Sequence, residues 1–160
     1  MNKKVTFIVH AALIAALYVV LTIVANSLGL ANYAIQVRFS EALTILPFFT
    51  PAAIPGLFIG CVISNFLTGC LLLDVIFGGI ATLLGALGTY ALRKASKWFA
   101  PLPPIIANTL IIPFVLAFVY QFEGSIPYFM VTVGIGEIIS CGLLGTFLLT
   151  TLNKYKKYIF

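Results

Sequence analysis

Long apolar blocks separated by short polar breaks set the reading of this chain. An α-helix needs about 20 apolar residues to cross a bilayer, and five blocks qualify: residues 6–28, 56–73, 75–92, 103–121 and 127–152. A sixth, shorter apolar stretch at 39–53 holds Pro47 and Pro51 and runs into Pro55, residues that kink or break a helix. Basic residues decide its status, because Lys and Arg near helix ends mark the cytoplasmic side. They cluster at Lys3 and Lys4, at Arg93, Lys94 and Lys97, and at Lys154, Lys156 and Lys157. For all three clusters to share a side, an even number of crossings must separate them, yet only three of the five blocks precede Arg93. The stretch at 39–53 supplies the missing crossing. The expected fold is therefore an all-α integral membrane bundle, a single transmembrane domain over 1–160. It has six transmembrane helices with a short, proline-broken second one, and both termini are cytoplasmic. A five-helix arrangement with 40–55 re-entrant would put one basic cluster on the wrong side.

Composition narrows the class further. Hydrophobic residues make up 62% of the chain and charged residues 8%, against about 25% charge in soluble domains. The mean hydropathy is +1.16. This is the composition of a multi-pass protein of the cell membrane, in contact with lipid. The run at 5–28 is longer than the apolar core of a secretory signal, about 7–15 residues. Cys61, Cys70 and Cys141 have no second cysteine or histidine at metal-ligand spacing and read as packing residues. His10 falls near the inner end of the first span, so neither a zinc site nor a serine–histidine pair is supported.

Small residues mark the packing faces. The first helix carries Ala11 with Ala15 and Ala12 with Ala16, small-xxx-small pairs that permit close helix approach. Gly56, Gly60, Ser64 and Thr68 form such a stripe in the third helix. Asp74, Gly78, Thr82, Gly85 and Thr89 form one in the fourth, and Gly134, Glu137, Cys141 and Gly145 one in the sixth.

Charge then locates candidate chemistry. A charge at membrane depth costs about 2.5–3.5 kcal/mol and is retained for a pathway, ligand or partner. Eight of the nine basic residues fall on the cytoplasmic side, leaving Arg38 alone outside, whereas Glu41, Asp74, Glu123 and Glu137 all lie in the outer half. Glu137 sits roughly 15 Å into the last helix, near the midplane. Asn32, Gln36, Asn65, Tyr120 and Gln121 add polar groups at similar heights, with Phe122, Tyr128 and Phe129 as flat walls. Such a cavity suits a planar ligand rich in N–H donors or one carrying an ammonium group. On this reading Arg38 and Glu41 form the rim or lid of a site whose floor is Glu137, and Glu41 meets either Arg38 or the ligand. Asp74 reads also as the N-cap of the fourth helix, and Glu123 as a solvated loop acid.

Four segments carry a family resemblance: Arg38-Phe39-Ser40-Glu41-Ala42-Leu43-Thr44, Gly60-Cys61-Val62-Ile63-Ser64-Asn65, Asp74-Val75-Ile76-Phe77-Gly78 with Thr82, and Gly136-Glu137. Over nearly its whole length the chain resembles the QueT family, the substrate-binding S components of energy-coupling-factor (ECF) transporters assigned to queuosine precursors. The resemblance implies capture of a 7-deazaguanine from outside, such as the 7-aminomethyl or 7-cyano compound or queuine. The implied substrate-binding set is Glu137, Asp74, Glu41, Arg38, Asn65, Gln36, Tyr120 and Tyr128. It further implies coupling to a transmembrane T subunit and two cytoplasmic ATPases, with Ala11, Ala12, Ala15 and Ala16 as the docking face. Family members are thought to carry substrate inward by toppling in the membrane.

The chain has no G-x-x-x-x-G-K-[ST] phosphate loop, so ATP hydrolysis falls to partner chains. No cofactor, catalytic residue or nucleic-acid partner is expected. Another vitamin or purine-like compound is the alternative cargo within the same class. From other classes, an intramembrane enzyme using Glu137 and Asp74 lacks a nucleophile–base pair, and a homo-oligomeric channel lacks a repeated ring-forming charge pattern.

Overall fold

A computed structural model of the chain describes residues 2–30 and 35–159, with side chains as far as Lys156. Asn32 and the side chain of Lys157 lie outside that range. Among the described residues there are six helices and no strand. We label them α1 (Lys3–Ser27), α2 (Phe39–Phe48), α3 (Ala53–Leu67) and α4 (Leu72–Leu92). Next, α5 comprises Leu102–Phe114 and continues in π geometry through Val115–Val119. Last, α6 comprises Ile126–Glu137, a π segment Ile138–Gly145 and Thr146–Ile159. Four stretches are long and apolar enough to cross a bilayer: Lys3–Ser27, Leu72–Leu92, Lys97–Val119 and Ile126–Lys156. The other two, α2 and α3, are shorter apolar helices.

Each apolar block of the sequence contains a helix, and the boundaries shift where backbone geometry overrides hydropathy. The block at 56–73 ends at Leu67 rather than at 73, because Gly69 takes a positive φ of 78° and turns the chain toward α4. The proline-rich stretch becomes a 3-10 helix with Pro47 inside it. At about 2.0 Å of rise per residue, its ten residues reach about 20 Å instead of about 15 Å. All of its side chains from Ser40 to Pro47 are buried. A helix apolar on every side belongs in an interior, and α2 packs against α1, α4 and α6 in the middle of the bundle.

Small residues bring the surrounding helices together. A Cβ at Gly56 would lie 2.7 Å from the Ala11 carbonyl oxygen, and one at Gly60 would lie 3.0 Å from that of Ala15. Thus α1 and α3 run side by side in the same direction, with Ala11 and Ala15 on their shared face. Ala12 and Ala16, by contrast, are exposed on the outside of α1. Between α4 and α5, Gly85 and Gly88 receive Pro104 and Pro103. These pairings make α5 antiparallel to α4, and Gly78 against Asn65 with Gly79 against Val62 and Phe58 makes α4 antiparallel to α3. Gly134 against Thr109 and Gly142 against Ile105 make α6 antiparallel to α5. The basic clusters at the start of α1, between α4 and α5, and late in α6 therefore share one end of the bundle. Arg38, Asp74 and Tyr120 belong to the other half. The main core joins Ile14, Tyr18, Leu43, Ile45, Leu57 and Leu149, while Leu116, Phe129 and Val133 form a smaller cluster.

Candidate functional site

The site is organised by the extended segment that leads into α2. Gln36 lies so close to Gly136 of α6 that any Cβ there would strike the Gln36 carbonyl oxygen. Two residues on, the Arg38 amide donates to Ser140 Oγ at 3.1 Å. Docked at these two points, the segment enters the bundle instead of running over its surface, and α2 begins inside. On the α1 side, Thr22 Oγ1 donates to Ser40 Oγ at 2.8 Å.

Above this segment lies a cavity of about 570 Å³, within the usual range of small-molecule pockets. Arg38, Gln36, Asn65, Asp74, Tyr120 and Tyr128 all line it. Tyr120 donates its hydroxyl to Asp74 Oδ2 at 2.8 Å and accepts the Leu71 amide at 3.3 Å. Burial and the bond to Asp74 hold the Tyr120 phenol above its ordinary pKa, so it stays a donor. Its ring stacks on Phe122, with centroids 5.4 Å apart, and Tyr128 meets Phe129 edge-on at 5.7 Å. Glu123 lies at the exposed margin. Asp74 is not an N-cap: α4 starts after Leu71, which places Asp74 in the first turn, where its charge still faces the positive end of the helix dipole.

Below the segment is a second, much smaller crevice of about 30 Å³ that shares Gln36, Arg38 and Ile112 with the large cavity. Glu41 and Glu137 line it together with Asn108 and Thr82. Tyr18 of α1 donates its hydroxyl to Glu41 Oε1, and Cys141 donates to Glu137 Oε2 at 3.1 Å. The same thiol lies 3.4 Å from the Glu41 carbonyl oxygen.

The expected set is therefore divided between two adjoining spaces. Glu41 is no rim residue. At 3% exposure it is more buried than the partly buried Glu137, because the docked segment carries the start of α2 inward. Nor does Arg38 pair with it: the guanidinium turns to Asn65 Oδ1 at 3.4 Å. Arg38 and Gln36 form the partition between the cavities, and the floor behind them is a carboxylate pair. The sequence reading missed Tyr18 and Asn108. A lone asparagine in the apolar fifth span was a usable signal for Asn108, whereas a tyrosine in the first span gave none.

The sequence profile described as QueT transporter matches residues 8–154. This chain belongs to the QueT transporter family. The queuosine precursor transporter QueT of Lactococcus lactis subsp. cremoris (strain MG1363) is 33% identical to it over 165 residues, covering 96% of each chain. No solved structure matches the chain. As a QueT family member, the protein is a multi-pass membrane transporter and not an enzyme. Asp74 and Tyr120 lie on one side of the partition and the Glu41–Glu137 pair on the other.

Proposed function

We propose that this QueT-family chain is the substrate-binding S subunit of an ECF-type importer, and that it captures a queuosine precursor of the 7-deazaguanine class from outside the cell. The observation that carries the reading is the chemistry of the large cavity. Two acids, three amides, Arg38 and stacked aromatic rings surround a space of about 570 Å³ in a chain with only 8% charged residues. A deazaguanine presents paired N–H donors on its pyrimidine edge, which a carboxylate accepts, and a flat ring that aromatic walls cover. The likeness to the Lactococcus transporter supports the same cargo.

In this reading all six helices cross the membrane with both termini cytoplasmic, so that the basic end of the bundle faces inward. The T subunit docks on the outward face of α1 at Ala12 and Ala16, since Ala11 and Ala15 are taken up against α3. Two cytoplasmic ATPases drive the uptake. Isothermal titration of the purified protein with 7-deazaguanines, guanine and a panel of vitamins tests the assignment. Binding of a 7-deazaguanine in preference to the others is expected. Binding of a vitamin with no response to any deazaguanine would replace the cargo, and failure to co-purify with any T subunit would remove the S-subunit role.

A further inference from the structure

Behind Gln36 and Arg38, two carboxylates face each other without a cation between them. Glu41 is 97% buried by its 3% exposure, and its Oε2 atom has no hydrogen-bond partner among the described residues. Glu137 comes to the same crevice from α6, and Glu41, Glu137 and Cys141 each place a ligating atom within 4.8 Å of the others. The neighbouring cation, Arg38, bonds away from them to Asn65. A buried carboxylate oxygen without a donor is costly, and one nearby guanidinium faces two carboxylates, so the crevice suits a group that brings donors and a further positive charge.

Size restricts what that group is. A space of about 30 Å³ takes a head of one or two heavy atoms and no ring. The carboxylates and the Asn108 amide offer several acceptors to a head with three N–H donors. A soft metal ion fits less well, because the Cys141 thiol is already engaged with Glu137 Oε2 and the Glu41 carbonyl. Gln36, Arg38 and Ile112 line both spaces, so the crevice lies directly behind the wall of the large cavity, within reach of a short arm that displaces one of these side chains.

We propose that the Glu41–Glu137 crevice is a subsite for a single primary ammonium group, carried on a short arm of a substrate whose ring lies in the large cavity. This rests on the deazaguanine reading and deepens it. The preferred cargo is the precursor with an aminomethyl arm, over those with a neutral arm.

Titration of the full-length protein with 7-aminomethyl-, 7-cyano- and 7-methyl-7-deazaguanine tests it. The aminomethyl compound is expected to bind at least about tenfold tighter than the other two, the range of a charge-assisted hydrogen bond. Glu41→Gln and Glu137→Gln should bring that ratio close to one. Equal affinities in the wild type, or a ratio that survives both substitutions, would overturn the subsite and leave the deazaguanine reading standing. If a variant does not fold, the wild-type comparison decides. If none of the three compounds binds, the deazaguanine reading fails, and methylammonium tests the crevice alone. Protection of the wild type from thermal unfolding, lost in Glu41→Gln, would uphold the subsite. No protection, or protection by Zn²⁺ in its place, would overturn it.

Discussion

Tyr18 donates its hydroxyl to Glu41, joining the middle of α1 to the first turn of α2 deep inside the bundle. Removing the hydroxyl leaves a second oxygen of the same carboxylate without a donor. Hydrogen bonds to charged groups contribute about 1.5–3 kcal/mol, and Tyr18→Phe should lower stability by that order. The double variant Tyr18→Phe/Glu41→Gln should lose less than the sum of the singles, a coupling that denaturation in detergent can measure. Strict additivity would show that the two side chains act independently.

Alanines on α1 divide by face. Ala15 lies against the backbone at Gly60, so Ala15→Leu should overpack the α1–α3 contact, at a cost of about 1–3 kcal/mol, and lower the melting temperature. Ala12→Leu and Ala16→Leu project from the exposed side. They should leave ligand binding and melting unchanged while abolishing co-purification with a T subunit.

Gly136 tests the docked segment. Gly136→Ala directs a methyl group at the Gln36 carbonyl oxygen and should displace residues 35–38 from α6. Because Gln36 and Arg38 line both cavities, ligand affinity should fall severalfold or more. A variant of wild-type affinity would show that the segment does not position the site.

Tyr120→Phe removes the donor to Asp74 and the acceptor for the Leu71 amide. At about 0.5–1.5 kcal/mol for an ordinary hydrogen bond, deazaguanine affinity should fall by about two- to tenfold, as read by titration calorimetry. Phe retains the stack on Phe122, so stability should fall by no more than that same order.

The cysteines report access to the large cavity. Cys70 lines it and is partly exposed, whereas Cys61 and Cys141 are 1% and 0% exposed. A small polar maleimide should label Cys70 alone, and bound ligand should slow that labelling. Mass spectrometry of the labelled protein checks both outcomes, and labelling of Cys141 would indicate that the inner crevice opens.

Hydropathy located every helix, because the length of an apolar block is a property of the chain alone. The parity of the basic clusters also anticipated a helix within residues 39–53, which the structure confines to Phe39–Phe48. What stayed hidden was lateral arrangement. The docking of residues 35–38 on Gly136 and Ser140 depends on contacts about one hundred residues apart in sequence. That docking moved Glu41 from the expected rim to the interior. Arg38 and Glu41, three apart, suggested a local pair, yet each found its partner on another helix: Asn65 on α3 and Tyr18 on α1. Ala11 and Ala12 are adjacent in sequence and equally small, so only the packed bundle tells the inner from the outer.

The π segment Ile138–Gly145 bears on how the chain tolerates changes of length. Its i→i+5 bonding accommodates more residues per turn than an α-helix does. A one-residue deletion within 138–145 would let this part revert toward α geometry, with Glu137 before it and Leu149 after it keeping their directions. The same deletion in Ile126–Glu137 has no such slack. It would swing every following side chain of that rod by about 100°, taking Glu137 away from Glu41.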